Sequence, residues 1–401
     1  MSERRLRVGI AGMGRAFSLM LPTFARHPLV EVVAGADPRP EARDRFVRDF
    51  SAKAYDEVAD LCADPIVEVI YIATPHEFHA DHVKVAAAHG KHVLVEKPMA
   101  LALQDCRDMI EAVRRAGVHL IVGHSHSFDG PIRRTREIVT SGKFGKLRMI
   151  SAINYTDFLY RPRRPEELST AQGGGVLFNQ APHHVDVVRL IGGGRVRSVR
   201  AAAGRWDAAR PTEGAYSAFL TFEDGAFASL TYSGYAHFDS DEFCDWIGEN
   251  GRPKNKARYG ATRKTLQSAI AAAPEIELKS AQNYGGEDYV DPQAEATGPR
   301  FHQHFGPMLV SCDRADLRPT PNGVVIYNDT AARLDAFPAP EVARSEVLEE
   351  LYDTIVLNRP PLHDGAWGLA TMEVCLAMLR SANEQREILL EHQVAVPAAQ
   401  R

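Results

Sequence analysis

A lysine ends one of the most apolar runs of the chain, in Val93-Leu94-Val95-Glu96-Lys97-Pro98. An aliphatic run of this kind predicts a buried strand, and parallel strands deliver the residues at their carboxyl ends to the edge where ligands bind. Because a following proline restricts Lys97 to extended backbone, its ammonium group is aimed, and an aimed lysine can accept or donate a proton. An ordinary solvated lysine after a strand would read the same way, so the motif needs support from the rest of the chain.

A glycine-rich turn follows the first apolar run of the chain. Gly12 would allow a tight turn and Gly14 a close approach of the backbone to a phosphate, while a helix starting near Arg15 would offer its free N–H groups. Phe17 occupies the place of the third glycine of the dinucleotide-binding pattern, which predicts a wider strand–helix spacing or a different first turn. The second apolar run closes on Asp37, about twenty residues past the glycines, where a ribose-binding acid is expected.

The acid after the second run bears on the choice of nicotinamide cofactor. A carboxylate at Asp37 would accept hydrogen bonds from the ribose 2′-hydroxyl and repel a 2′-phosphate, which favours NAD. Arg39 could stack on adenine or soften that repulsion, so NADP is the alternative cofactor. Asp37 could also be an N-terminal acid of the helix that begins near Pro38.

Strands and helices alternate with short connections over the first 125 residues. A third buried run at residues 67–73 leads into Thr74 and Pro75, and His79 precedes the next helix. This alternation predicts a parallel, doubly wound Rossmann sheet over residues 1–125. Later runs alternate polar and apolar residues, which predicts an α+β domain with a mainly antiparallel sheet over residues 126–401.

A long polar passage interrupts the second domain at residues 233–305. Within it, residues 252–264 carry basic side chains and no acid. Long ordered insertions are often functional, although a solvated loop would have the same composition. Two late helices, over about 342–357 and about 366–386, are predicted to pack on the second sheet or to return to the first domain.

The order of these motifs resembles the Gfo/Idh/MocA family of oxidoreductases over nearly the whole chain. The resemblance includes Thr-Pro-x-x-x-His, Glu-Lys-Pro and a triple-glycine segment, residues 173–175, that leads to His183 and Asp186. It implies an NAD(P)-dependent enzyme in which Lys97 and His183 are catalytic and which needs no metal. It also implies a cofactor site formed by Gly12, Gly14, Arg15, Phe17, Asp37, Arg39, Thr74, Pro75, His79, Glu96 and Lys97.

One residue departs from the family pattern. Asn179 stands four residues before His183, where the family often has an aspartate. Asparagine cannot take up a proton but donates and accepts hydrogen bonds, so we expect Asn179 to orient a hydroxyl group or the nicotinamide. The spacing predicts that both side chains share one face of a single helix. His183 could instead be an ordinary core histidine.

An arginine cluster, Arg161, Arg163 and Arg164, precedes the triple-glycine segment. The planar fork of arginine matches a carboxylate, so the cluster predicts an anionic substrate, bound with help from Arg258 or Arg263 of the insertion. His126, which follows a predicted strand, is expected to line the substrate pocket.

Three segments, residues 12–17, 179–183 and 312–321, are similar to one subgroup of the family, the phthalate 4,5-cis-dihydrodiol dehydrogenases. This resemblance implies NAD-dependent oxidation of a carboxylated cyclic cis-diol to a catechol, in the degradation of phthalate or related aromatic compounds. A dehydrogenase of a sugar, inositol or glycoside is the alternative. A non-catalytic, nucleotide-sensing regulator on the same fold is a third reading, against which Lys97 and His183 weigh.

Composition excludes several other classes of protein. A net charge of −5 over 401 residues gives no reason to expect nucleic-acid binding, and no apolar run is long enough to cross a membrane. Five scattered cysteines fit reduced thiols, and the first residues lack the apolar core of a signal peptide, so a cytoplasmic protein is expected. The histidine pairs complete no recognisable zinc spacing, so no metal is expected. One exposed face of the second sheet would favour a homodimer or homotetramer.

Overall fold

The computed structural model describes residues 4–123, 126–258, 260–271, 273–291 and 298–397. These residues form two compact units. The first unit comprises Met1–Gly123, Ile276–Thr297 and Glu341–Leu369, and the second comprises His124–Glu275, Gly298–Pro340 and Ala370–Arg401.

The expected boundary at residue 125 lies two residues past the end of the first segment, but the first unit also includes two later segments. Residues 276–297, which the sequence analysis placed in the second domain, belong to the first unit. Residues 341–369 also belong to it, which agrees with the expectation that the late helices could return to the first domain. In the first of these segments, the Tyr284 hydroxyl donates to the Asp49 carboxylate at 2.7 Å. Two hydrogen bonds hold the second segment. The backbone N–H of Val122 donates to the His363 carbonyl at 2.8 Å, and the hydroxyl of Thr23 donates to the Ala343 carbonyl at 2.6 Å.

The first unit alternates strands and helices along most of its length. In chain order these are β1 (Leu6–Ala11), α1 (Arg15–Arg26), β2 (Val30–Ala36), α2 (Pro40–Phe50), β3 (Lys53–Tyr55), α3 (Val58–Ala63), β4 (Val69–Ile72), α4 (His79–Ala88), β5 (His92–Glu96), α5 (Leu103–Ala116) and β6 (Leu120–Gly123). All six strands are parallel, in the order β3-β2-β1-β4-β5-β6. The predicted doubly wound Rossmann sheet is confirmed.

Two features of this sheet position a ligand site. Every residue of β4 and β6 is buried, as expected for parallel strands covered on both faces. The strand order reverses between β1 and β4, and open α/β sheets bind ligands in the crevice at the carboxyl ends of such strands. Gly12 and Thr74 follow these two strand ends.

The second unit is built on a nine-stranded sheet. Its first elements are α6 (Gly130–Thr140), β7 (Leu147–Tyr155), α7 (Val176–Asn179), α8 (Ala181–Gly192), β8 (Val196–Gly204), β9 (Ala215–Phe222), β10 (Phe227–Ser233) and α9 (Ala261–Ile270). The remaining elements of the chain, in order and whichever unit they belong to, are α10 (Glu275–Gln282), β11 (Met308–Cys312), β12 (Ala315–Thr320), β13 (Gly323–Tyr327), β14 (Ala332–Ala336), α11 (Ser345–Ile355), α12 (Gly365–Glu384) and β15 (Ile388–Leu389). Of these, α11 lies in the first unit, and α10 and α12 run across the unit boundaries. No helix among the described residues is both long and apolar enough to cross a membrane.

The sheet of the second unit has the order β14-β13-β12-β11-β7-β10-β9-β8-β15. Only β7 and β10 are parallel neighbours, so the predicted mainly antiparallel sheet is confirmed. The predicted hairpin between β9 and β10 is present, with Gly225 at φ +88° and the Asp224 carboxylate accepting the N–H of Ala226.

Alternation along the strands separates the two faces of this sheet. Tyr216 and Tyr232 are directly paired across β9 and β10, are both buried and lie on the face against which α8 packs. Their strand neighbours project to the other face, where Phe219 and Phe227 keep 44% and 37% of their surface exposed and stack on each other.

Candidate active site

The turn after β1 leaves space beside a helix N-terminus. Gly12 has φ +88°, and a Cβ there would lie 2.8 Å from the Ala73 carbonyl oxygen, so only glycine fits. A Cβ at Gly14, the N-cap of α1, would meet no atom within 4 Å. Open space therefore faces the first N–H groups of α1, which begins at Arg15. A helix N-terminus attracts anions, so these residues fit the pyrophosphate of a dinucleotide.

The side chain of Phe17 does not face this cradle. Its side chain is fully buried, with its ring 6.4 Å from those of Phe46 and Phe50 and 5.1 Å from that of Tyr284. The ring packs into the core beside α2, so the predicted contact of Phe17 with the cofactor remains a prediction for its backbone alone.

Asp37 and Arg39 form a direct ion pair at the end of β2. The guanidinium Nε of Arg39 lies 3.0 Å from Oδ1 of Asp37, and the backbone N–H of Met13 donates to Oδ2 at 2.8 Å. Both Asp37 and Met13 are buried. The arginine thus contacts the proposed ribose-binding acid itself.

His79 bridges the turns that follow β4 and β5. Its side chain is fully buried, with Nε2 2.9 Å from the Thr74 carbonyl and Nδ1 2.9 Å from the Pro98 carbonyl. The expected contact between His79 and the cofactor is therefore a misassignment, since both ring nitrogens face backbone oxygens. The residue instead holds Thr74, Pro75 and the Lys97-Pro98 segment together.

Lys97 follows β5 directly and stays partly exposed. The peptide bond from Lys97 to Pro98 is cis. Glu96, the last residue of the strand, accepts a hydrogen bond of 2.7 Å from the buried Tyr71 hydroxyl. The strand end is thus anchored in the core, and the lysine side chain is accessible at the carboxyl edge of the sheet.

The triple-glycine segment of the second unit is held by Asn179. Its amide nitrogen donates to the carbonyls of Gly175 at 2.8 Å and Gly173 at 3.2 Å. The predicted single helix through Asn179 and His183 is wrong. The first helix, α7, ends at Asn179, Gln180 has a distorted φ of −116°, and α8 begins at Ala181 with Pro182 in its first turn.

His183 lies in a cluster of rings. Its ring is 5.0 Å from that of His126, edge to face, and 5.1 Å from that of Phe305. His126 is 6% exposed and is oriented by the Asp129 carboxylate, 2.9 Å from its Nδ1. The structure thus brings His126 and His183 together. Across the described residues, no three His, Cys, Asp or Glu side chains are arranged to hold a metal ion.

The ring of Tyr232 stacks on that of Phe305 at 6.1 Å and connects this ring cluster to two charged residues, Arg161 and Asp157. Nε of Arg161 lies 2.9 Å from the Asp157 carboxylate, and 35% of the arginine side chain remains exposed. Burial lowers the pKa of Arg161, but the charges of Asp157 and Glu249 outweigh burial and raise it overall. The guanidinium is therefore permanently charged.

The other two arginines of the predicted cluster serve the fold of their own loop. Arg163 is 9% exposed, lies 3.8 Å over the ring of Phe158 and donates to the Phe158 carbonyl. The backbone N–H of Arg164 donates to the Glu167 carboxylate, which caps a short helical turn, and the guanidinium lies 3.7 Å from the same carboxylate. The Arg163 guanidinium is thus engaged within the chain, whereas the Arg164 side chain is 30% exposed and its predicted substrate contact remains a prediction. The side chain of Arg258 lies outside the described residues.

A cavity of about 670 Å³ in the second unit has mainly aromatic and apolar walls. Arg263 stacks 3.9 Å over Tyr160 there, and Arg210 pairs with Glu275 at 2.8 Å. Tyr155 also lines the cavity, and alternation along β7 places it on the face of the sheet opposite Asn154. Sequence analysis missed Arg210, since an isolated arginine in a loop carries no signal of its partner.

Comparisons with known proteins identify the same two parts of the chain. An oxidoreductase family with an NAD-binding Rossmann fold matches residues 6–124, and the Gfo/Idh/MocA C-terminal domain matches residues 132–253. The 1-carboxy-3-chloro-3,4-dihydroxycyclohexa-1,5-diene dehydrogenase of Comamonas testosteroni is 46% identical over 95% of this chain and 96% of its own. The myo-inositol 2-dehydrogenase of Thermotoga maritima is 27% identical over 62% of this chain and 74% of its own.

Solved structures agree with these matches. A putative dehydrogenase from Bordetella bronchiseptica RB50 superimposes with a TM-score of 0.89 at 43% identity, covering 96% of this chain and all of its own. A levoglucosan dehydrogenase in complex with NADH and levoglucosan has a TM-score of 0.72 at 16% identity, over 98% of this chain and all of its own, and shares the fold.

The buried bridge formed by His79 predicts a pH-dependent stability. Burial lowers the pKa of His79 from 6.5 to about 4, although the carbonyls of Pro98 and Thr74 raise it. Between pH 6.5 and about 4, the unfolded chain binds a proton that the folded protein does not. The free energy of unfolding is therefore highest above this window and falls with decreasing pH, by up to ~1.4 kcal/mol per pH unit from this group.

Chemical unfolding of wild-type and His79→Gln proteins, followed by circular dichroism over this pH range, tests the prediction. The variant should be less stable at neutral pH, and its stability should fall less steeply towards acid. His89→Gln, at the exposed end of the same helix, is the matched control and should keep the wild-type slope. An equally steep slope for His79→Gln would contradict the assignment.

Proposed function

Because the chain belongs to the Gfo/Idh/MocA family of oxidoreductases, we propose that it is an NAD-dependent dehydrogenase of a carboxylated cyclic cis-diol, of the phthalate 4,5-cis-dihydrodiol type. The observation that carries the substrate class is the charged, partly exposed Arg161. It lies on the side of the sheet where the rings of Tyr232, Phe305 and His183 contact one another in series. A 46% identical relative is named for a carboxylated dihydroxycyclohexadiene, which supports this choice.

The proposed role of Lys97 is to accept the proton of the substrate hydroxyl. A nicotinamide, when bound, supplies the hydride acceptor for the hydrogen on the same carbon. As that C–H bond breaks, the O–H proton passes to Nζ of Lys97 and the carbon–oxygen double bond forms. His183 is the second proposed acid–base residue, and Asn179 supports the reaction by holding the glycine loop. The ring ketone then moves a ring proton to its oxygen and becomes an aromatic catechol, so the oxidation is effectively irreversible.

Arg161 is the proposed partner of a ring carboxylate. Its Nε and Nη2 face Asp157 at 2.9 and 2.8 Å, and within the described part of the chain Nη1 remains for a ligand. Asp157 balances the positive charge of Arg161, but the guanidinium can still donate a directional hydrogen bond from Nη1. An arginine held in this way is oriented before a carboxylate arrives, which reduces the entropic cost of binding.

The cofactor is a nicotinamide dinucleotide, and we propose NAD, with NADP as the alternative. The cradle of Gly12 and Gly14 supports the dinucleotide. An acid at the end of β2 is typical of NAD sites, and the ion pair of Asp37 with Arg39 is the reason that NADP is the alternative. The exposed Phe219–Phe227 pair on the second sheet supports a homodimer or homotetramer, because contact with a second copy would remove these two rings from water.

Replacing Lys97 tests the proposed chemistry. Lys97→Ala should lose about two to four orders of magnitude in kcat while binding NADH normally, because only a positioned proton-transfer group is removed. His183→Ala should be similarly damaging, and Asn179→Ala less so. Stopped-flow and steady-state measurements of NADH formation give kcat, and NADH fluorescence gives binding.

Lys91→Met provides the matched control for this experiment. Lys91 is a buried lysine just before β5 that donates to the carbonyls of Asp64 at 2.9 Å and Val67 at 2.7 Å. Its replacement should lower the unfolding temperature and leave the kcat of the folded fraction unchanged. Near-normal turnover by Lys97→Ala would exclude this lysine as the proton acceptor.

Arginine variants test the substrate class. With a dicarboxylated cyclohexadiene cis-diol, Arg161→Met should reduce kcat/KM about thirty- to a hundredfold, since one charged hydrogen-bonded contact is lost. With the uncarboxylated diol, the same variant should lose less than about threefold. Arg263→Met removes a similar charge from the cavity on the other face and should affect both substrates equally.

Initial rates on phthalate cis-dihydrodiol, its uncarboxylated analogue, myo-inositol and glucose distinguish the three candidate functions: a dihydrodiol dehydrogenase, a dehydrogenase of a sugar, inositol or glycoside, and a non-catalytic regulator. A clear preference for either polyol would discard the dihydrodiol proposal and keep the family. A carboxylate-specific loss in Arg263→Met instead of Arg161→Met would move the carboxylate site to the cavity. Nucleotide binding without turnover on any of these compounds would favour a regulator.

A further inference from the structure

The carboxylate of Asp37 is fully engaged within the chain. An ionised carboxylate has about four acceptor positions. Oδ1 accepts from the backbone N–H and Nε of Arg39, both at 3.0 Å, and Oδ2 accepts from the backbone N–H of Met13 at 2.8 Å and Nη2 of Arg39 at 3.2 Å. Asp37 is also only 5% exposed. While Arg39 stays in this position, a ribose hydroxyl therefore finds no acceptor position left on Asp37.

Arg39 is held in place from two further directions. Its Nη2 donates to the Met13 carbonyl at 3.0 Å, and its Nη1 donates to the Tyr284 carbonyl at 3.3 Å. The guanidinium is therefore fixed by the glycine-rich turn on one side and by the insertion on the other. It keeps 22% of its side chain exposed, whereas the carboxylate beneath it keeps 6%.

The insertion supplies a rigid contact to this arginine. Tyr284 is fully buried, its hydroxyl donates to the Asp49 carboxylate at 2.7 Å, and its ring packs edge to face on Phe17. Arg45 lies 5.6 Å over the same ring. Because ring and hydroxyl are both anchored on the first unit, the Tyr284 carbonyl that faces Arg39 is fixed as well.

We propose that Arg39, locked onto Asp37 by Tyr284, is the group that meets the 2′ position of the adenosine ribose, and that this site therefore binds NADPH nearly as well as NADH. The inference rests on the Rossmann cofactor site of the proposed function and is independent of its substrate. A bare carboxylate repels a 2′-phosphate, whereas the carboxylate paired with Arg39 is locally neutral, and among the described contacts one N–H of Nη1 remains to donate to the phosphate. The preference for NADH is thus below about tenfold.

Direct binding of the reduced cofactors tests this proposal without any substrate. Isothermal titration calorimetry gives the ratio of the NADPH and NADH dissociation constants for each protein. Arg39→Ala exposes the Asp37 carboxylate, so the ratio should rise about thirtyfold in favour of NADH. Asp37→Asn leaves the arginine without its counter-charge, so the ratio should fall below one. Arg48→Ala, which removes the same charge from the exposed side of α2, should keep the wild-type ratio.

A second variant tests the contribution of the insertion. Tyr284→Phe keeps the buried ring but removes the hydrogen bond to Asp49. Its ratio of NADPH to NADH dissociation constants should rise, as for Arg39→Ala, but by a smaller factor. A rise of more than about tenfold for Arg39→Ala supports the proposal, and a smaller change overturns it, because Asp37 would then read the ribose directly. Failure of the dihydrodiol assays would leave this binding result intact.

Discussion

The site depends on one buried side chain, the imidazole of His79 held between two backbone carbonyls, one of which accepts its single N–H. The turns after β4 and β5 both present residues to the ligand edge of the sheet, and neither turn is regular structure that holds itself. His79 ties Thr74 in one turn to Pro98 in the other, and a fully buried polar group of this kind has few alternative arrangements. The position of Lys97 next to Pro98 is therefore set by a residue that is itself shielded from ligands.

The features that could be predicted from sequence are those determined by local pattern. The apolar runs that end at Asp37 and Lys97 are strands, because parallel strands buried on both faces need continuous aliphatic residues. Gly12 is required by its positive φ and by the closeness of Ala73. The two sheets, the β9–β10 hairpin and the late helices follow from the same local signals.

The features that sequence analysis did not reveal depend on particular contacts, several of them with partners distant in sequence. Phe17 was assigned to the cofactor from its place in the motif, but its ring packs against Tyr284, far along the chain. Arg163 has the residue type that binds carboxylates, but its guanidinium lies over the ring of Phe158 and donates to the carbonyl of that residue. The i and i+4 spacing of Asn179 and His183 failed because α7 ends at Asn179 and α8 begins at Ala181. The return of residues 276–297 to the first unit depends on tertiary contacts that no local pattern encodes.

Transfer of a labelled hydrogen tests the central claim of carbon-to-nicotinamide hydride transfer most directly. The protein is incubated with NAD and a dicarboxylated cyclohexadiene cis-diol that carries deuterium on both hydroxyl-bearing carbons, and the reduced nicotinamide is examined by proton NMR. The account predicts one deuterium at C4 of the nicotinamide in each molecule of NADH and a catechol as the organic product. NADH without deuterium, or turnover only on a polyol, would contradict it.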